Sequence, residues 1–85
     1  MPPIKLTRAQ RAERDLLKQL APLKQELAKL RRALMRNTDE AETYRWAALE
    51  LFRTLQQFGN STHVKLLSNQ ALEIAREAQA VILYK

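Results

Sequence analysis

Cysteine is missing from all 85 residues, so neither a disulfide nor a thiolate metal site can exist. Histidine occurs once, at His63, and one histidine cannot build a zinc site. Glycine also occurs once, at Gly59, which leaves no glycine-rich loop to cradle a phosphate. No apolar run approaches the roughly 18 residues that a membrane-spanning helix needs. The start, Met1-Pro2-Pro3-Ile4-Lys5, lacks the apolar stretch of a signal peptide, so the expected compartment is the cytoplasm. There is no Ser/His/Asp or Cys/His set, and no paired carboxylates outside helix starts. The chain reads as a non-enzyme with no cofactor, no metal and no small-molecule substrate.

What is present is leucine in register. Leu16, Leu20, Leu23, Leu27, Leu30 and Leu34 are spaced 4-3-4-3-4. Such a seam must meet another apolar helix face, in this chain or in a partner. Two further segments carry the same rhythm. Tyr44, Ala48, Leu51, Leu55 and Phe58 form one face, and Leu67, Ala71, Ile74, Ala78 and Val81 the other. No segment alternates with period two for long enough to be a strand.

Punctuation between these faces predicts helices over about 7–36, 39–58 and 62–84, after a flexible N-terminus at 1–6. Thr7 and Gln10 have capping-box spacing. Asn37 or Thr38 can cap the second helix, with Asp39, Glu40 and Glu42 placed where its dipole favours negative charge. Gly59 falls where a left-handed C-cap is needed, and Asn60, Ser61 and Thr62 offer the next N-cap. Short loops make sequential helices antiparallel neighbours. The expected fold is therefore all-α: one domain, an antiparallel three-helix bundle with coiled-coil-like heptads, or an extended hairpin with helix 1 partly free. Helix 1 would span about 45 Å against about 30–35 Å for the others, so it overhangs. Pro22 removes a hydrogen bond to the Lys18 carbonyl and falls on the outer face. Either it kinks a surface-facing helix, or it is a hinge between residues 7–21 and 22–36.

Charge is unevenly distributed. Residues 1–36 hold ten Lys/Arg against three acidic residues, a net of +7, while residues 37–85 carry a net of −1. Arg11, Lys18 and Arg32 share heptad position f, and Arg8, Lys29 and Arg36 share position c, opposite the leucines. This is either the solvated face that any amphipathic helix needs, or a stripe that tracks phosphates or an acidic protein surface. Arg31, Arg32 and Arg36 cluster in the last turns, where they also suit the helix dipole. The stripe has no interleaved aromatic to stack on bases, and no helix-turn-helix spacing is evident. The cationic contacts to weigh are Arg11, Lys18, Lys29, Arg31, Arg32 and Arg36.

Apolar excess is the other signal. Trp46, Leu49 and Phe52 form a second line on helix 2, readable as a wide core face or as an exposed anchor, since Trp is enriched among interface hot spots. Leu66, Leu72, Ala75 and Ile82 do the same on helix 3. Val81-Ile82-Leu83-Tyr84 would be expensive to leave wet and must pack on the bundle or on another chain. His63, in the first turn of helix 3, reads as solvent-exposed.

Two stretches resemble known families. Leu27-Ala28-Lys29-Leu30-Arg31-Arg32-Ala33-Leu34-Met35-Arg36, a short turn with Asp39, then Tyr44, is similar to the small co-chaperones of type III secretion needle subunits, the YscE-like family. Ala71-Leu72-Glu73 and Val81-Ile82-x-Tyr84 also resemble the end of that family's second helix. The similarity covers about a third of the chain, which interposes Gly59 and a further helix where the family has a simple hairpin. The resemblance implies a cytoplasmic adaptor that works with a larger chaperone to keep a needle subunit monomeric. Its docking surface would be apolar, with Leu27, Leu30, Leu34, Tyr44 and Trp46 as the nearest matched positions. Separately, Phe58-Gly59, Val64 and Ala71 to Glu77 resemble one tetratricopeptide-type helix pair, although about three such repeats are usually needed for a core.

The functional expectation is a protein-binding adaptor or co-chaperone, with Leu27, Leu30, Leu34, Tyr44, Trp46, Ile82 and Tyr84 facing a partner protein or a second copy. The alternative is a small basic nucleic-acid-binding or regulatory protein using the cationic face of helix 1.

Overall fold

The computed structural model describes residues 6–84 and contains three α-helices and no strand among them. They are α1 (Arg8–Arg36), α2 (Ala41–Gln56) and α3 (Thr62–Leu83). The fold is all-α, as the leucine periodicity predicts. The flexible segment expected at 1–6 lies, apart from Leu6, outside the described residues, as does Lys85.

Local chemistry sets the ends of the helices. At the start of α1, the Gln10 amide donates to Thr7 Oγ1 (3.2 Å) and the Thr7 amide donates to Gln10 Oε1 (3.0 Å), a complete capping box. α2 is shorter than its apolar pattern, which predicted 39–58. Asn37 Oδ1 accepts from the Asp39 amide (3.1 Å), and Thr38–Glu40 form a 3-10 turn before α2 begins. At the far end, the amides of Gln57 and Phe58 bond three residues back, to Thr54 and Leu55, which tightens the last turn. Gly59 then takes φ +98°, a conformation that L side chains rarely adopt. Ser61 caps α3, its hydroxyl accepting from the Val64 amide (3.2 Å). α1 runs without a break through Pro22, which lies on its exposed face. The orphaned carbonyl there can bond water.

The leucine seam of α1 turns inward. Leu20, Leu27, Leu30 and Leu34 are buried, with Leu16 and Leu23 packed beside them. They meet Ala48 and Leu55 of α2 and Val64, Leu67, Ala71, Ile74 and Ala78 of α3 in a single core cluster. Helix 1 is thus docked on its own bundle from about Leu16 onward, while Thr7 to Asp15 are all exposed. α2 and α3 share the most extensive contact. The alanines explain this: Ala48, Ala71 and Ala78 are fully buried, and small side chains let two helix axes approach closely. Ser68 is the one buried polar residue among those described, and its hydroxyl accepts from Gln56 Nε2 (3.3 Å).

The molecule is elongated. Its radius of gyration is 16.1 Å, against about 12 Å for a compact chain of this length. It extends 60 Å along its axis. Side-chain contacts at two levels give the direction of α1 relative to α3. His63 lies against Glu13, and Arg31 against Glu73 and Glu77, so the two helices run parallel with α2 antiparallel to both.

Candidate interaction surface

The residues expected to face a partner divide into three groups. Leu27, Leu30 and Leu34 belong to the interior, with 2%, 9% and 3% of their surface exposed. They are a correction to the expected docking set. Their heptad register is real, but α2 and α3 of the same chain occupy the face they present. Tyr44 and Ile82 are half-buried and pack against the core. The Tyr44 hydroxyl donates to Glu40 Oε2 at 3.1 Å. Desolvation, that hydrogen bond and the Glu40 charge all push its pKa up from the ordinary phenol value. Trp46 and Tyr84 remain at the surface, 55% and 91% exposed.

The second apolar line of α2 splits. Leu49 and Phe52 are drawn against the core while Trp46 stays outside, with the Arg45 guanidinium 5.4 Å from its ring centroid. On α3, Val81 and Ile82 pack on the bundle, and Leu83 and Tyr84 do not. Met35 is also exposed. Topology gathers most of these positions. α1 ends, α2 begins and α3 ends at the same end of the bundle, so Met35, Leu83 and Tyr84 lie toward that end, while Trp46 lies in the second turn of α2, beside Leu49 and Phe52.

A second apolar feature was not anticipated from sequence. Leu17 and Leu66, both exposed, line a groove between α1 and α3 together with Ala21, Lys24, His63 and Gln70. Leu17 lies one residue off the leucine seam, so its pairing with Leu66 depends on how the two helices are juxtaposed. His63, which lines the groove, is in contact with Glu13 of α1 at 3.0 Å.

The cationic positions also divide. Arg31 reaches Glu73 Oε2 at 3.3 Å and Glu77 Oε1 at 3.7 Å, so α3 supplies its acidic partner. Lys29 stands 4.0 Å from Glu26, one turn away on the same helix. Arg11, Lys18, Arg32 and Arg36 are exposed and have no ion pair among the described residues. Arg14 joins them.

No family model, curated protein or solved structure matches this chain.

Chemically, these surfaces offer apolar area and fixed positive charge. Among the described residues there is no cluster of His, Asp or Glu able to hold a metal ion. None of the helices described is long and apolar enough to cross a membrane.

Proposed function

We propose that this chain is a small non-enzymatic adaptor or co-chaperone, cytoplasmic, that docks an apolar helix of another protein. The observation that carries the reading is the set of large apolar side chains left outside the core. The core has closed over the leucines, yet Met35, Trp46, Leu83 and Tyr84 are left 78%, 55%, 74% and 91% exposed. A single exposed leucine is ordinary, whereas several large apolar side chains left exposed on so small a chain point to an interaction surface. Trp and Tyr bury much area at a low entropic cost and dominate interface energetics. The partner would present an amphipathic helix whose apolar face covers these exposed side chains.

The finer assignment, a co-chaperone of a secretion needle subunit, is supported by the Leu27–Arg36 stretch with its following turn and Tyr44. In this reading the leucines of that stretch build the fold, and Trp46 and Tyr84 make the contact.

Affinity capture from native lysate, with nuclease and at raised salt, tests this when wild type is compared with Trp46→Ala/Tyr84→Ala. The expected result is a stoichiometric protein partner that survives both treatments and is lost with the double variant. Capture that is indifferent to the two substitutions would overturn the assignment of this surface.

A further inference from the structure

We propose that the outer face of α1 is a second binding surface, for the phosphate backbone of a nucleic-acid duplex, independent of base sequence. Arg11, Arg14, Lys18, Lys29, Arg32 and Arg36 are all exposed. At 100° per residue they fall within an arc of about 60°, opposite the buried leucines, and span about 37 Å along the helix. Only Lys29 has an ion-pair contact among the described residues, and that one is 4.0 Å long.

The acidic residues of α1 cancel this charge only in part. Glu13 is turned toward His63 of α3, and Glu26 sits beside Lys29. Asp15 is exposed, in a shallow depression among Arg11, Arg14 and Lys18. The cation that could have been neutralised by the rest of the bundle, Arg31, points to α3 and is outside the arc.

The character of the face selects the ligand. Between the cations lie Ala21, Pro22, Gln25 and Ala28, all exposed, with no aromatic among them; the exposed Leu17 and Met35 flank the arc on one side, about 60° from its edge, and Leu17 adjoins Arg14, Lys18 and Ala21. A folded protein partner generally needs a buried apolar anchor, and the arc of cations itself holds none. A single strand would need aromatic platforms for its bases, which are also absent from the face. A membrane surface would take up an amphipathic helix by its apolar side, and here that side is the bundle core. A rigid line of charge without anchors fits a rigid line of phosphates, where release of counterions supplies the affinity. Phosphate contacts position a protein without reading sequence. DNA and RNA duplexes share this chemistry, and the assay distinguishes them.

The test is fluorescence anisotropy of the full chain with mixed-sequence 30-base-pair DNA and RNA duplexes, titrated across salt. Four to five phosphate contacts predict a log–log slope of about −4, and a loss of affinity of roughly 100- to 1,000-fold between 50 and 200 mM salt. Arg11→Gln/Lys18→Gln and Arg32→Gln/Arg36→Gln, with helicity checked by circular dichroism, should each reduce the slope by about 2. Arg53→Gln/Arg76→Gln, on α2 and α3, should leave it unchanged, as should Trp46→Ala/Tyr84→Ala. No binding at 50 mM salt would overturn the proposal. So would a slope indifferent to the α1 substitutions. Equal binding of polyglutamate or of phosphatidylserine vesicles would overturn it as well, since the face would then be merely cationic. Because Trp46 and Tyr84 lie outside the stripe, failure here leaves the adaptor reading standing, and the reverse.

Discussion

Arg31 Nη2 lies 3.3 Å from Glu73 Oε2, joining residues 42 apart in sequence and fastening the C-terminal half of α1 to α3. Glu77 stands on the other side at 3.7 Å. Both partners of the closer pair are about half exposed, at 46% and 62%, so solvent screens the attraction. Exposed pairs of this kind are worth about 0.2–1 kcal/mol. Arg31→Ala is expected to lower stability by that amount at low salt and by less at 1 M salt. Arg32→Ala, which breaks no contact, should stay within about 0.5 kcal/mol of wild type. A double-mutant cycle with Glu73→Ala, followed by urea denaturation, measures the coupling.

Leu27 and Leu34 sit where three helices converge. Truncating either to alanine should cost about 2–5 kcal/mol, because the cavity left behind collapses only partly. In a chain this small that is a large share of the total stability. Leu30→Asp should unfold the bundle outright, by placing a carboxylate without a partner in the core. Thermal unfolding followed at 222 nm checks all three. A near-native melting temperature for Leu30→Asp would mean that α1 does not dock on α2 and α3.

Gly59 turns the chain between α2 and α3 at φ +98°, and a methyl group placed there would meet no atom within 4 Å. The cost of Gly59→Ala is therefore one of backbone conformation, about 1–2 kcal/mol. Gly59→Asn should recover part of it, since asparagine tolerates the left-handed region better. Ser61→Ala, two residues on, removes the hydroxyl that accepts from the Val64 amide and should cost about 0.5–2 kcal/mol. Urea midpoints of the three variants give the ordering.

The Tyr44 phenol is held protonated by partial burial, by its hydrogen bond to Glu40 and by the Glu40 charge. Its folded pKa lies above that of the unfolded chain. The stability it contributes is thus fully present below the unfolded value of about 10 and lost as pH rises through the folded value. Phenolate absorbance should show one tyrosine titrating later than a model phenol. Tyr44→Phe should remove that transition and reduce the loss of melting temperature at alkaline pH.

Much of the architecture could be read from residue spacing. Helix is local: the 4-3 rhythm of Leu16 to Leu34, the Thr7/Gln10 box, the single glycine and Ser61 each act over one or two turns. The second helix was read too long at both ends, because Asn37 diverts the chain into a 3-10 turn and the Gln57 and Phe58 amides bond three residues back rather than four. The docking site was less legible. Periodicity marks a face as apolar without saying whose surface covers it, so Leu27, Leu30 and Leu34 were expected at a partner and lie in the chain's own core. Trp46, Leu49 and Phe52 look alike along the helix, but only the packing of the bundle separates the indole left outside from the two side chains drawn in.

From its sequence alone this protein is determined to be helical, to break near residues 37 and 59, and to carry its positive charge on α1, opposite the leucines. Those properties rest on backbone propensity, capping and helical geometry, which act between near neighbours. Only the tertiary structure decided that Arg31 finds its acids on α3, that Leu17 and Leu66 line one groove, and that Met35, Trp46, Leu83 and Tyr84 stay outside the core. These depend on helix register and relative direction, which follow from how alanines and leucines of distant segments pack together.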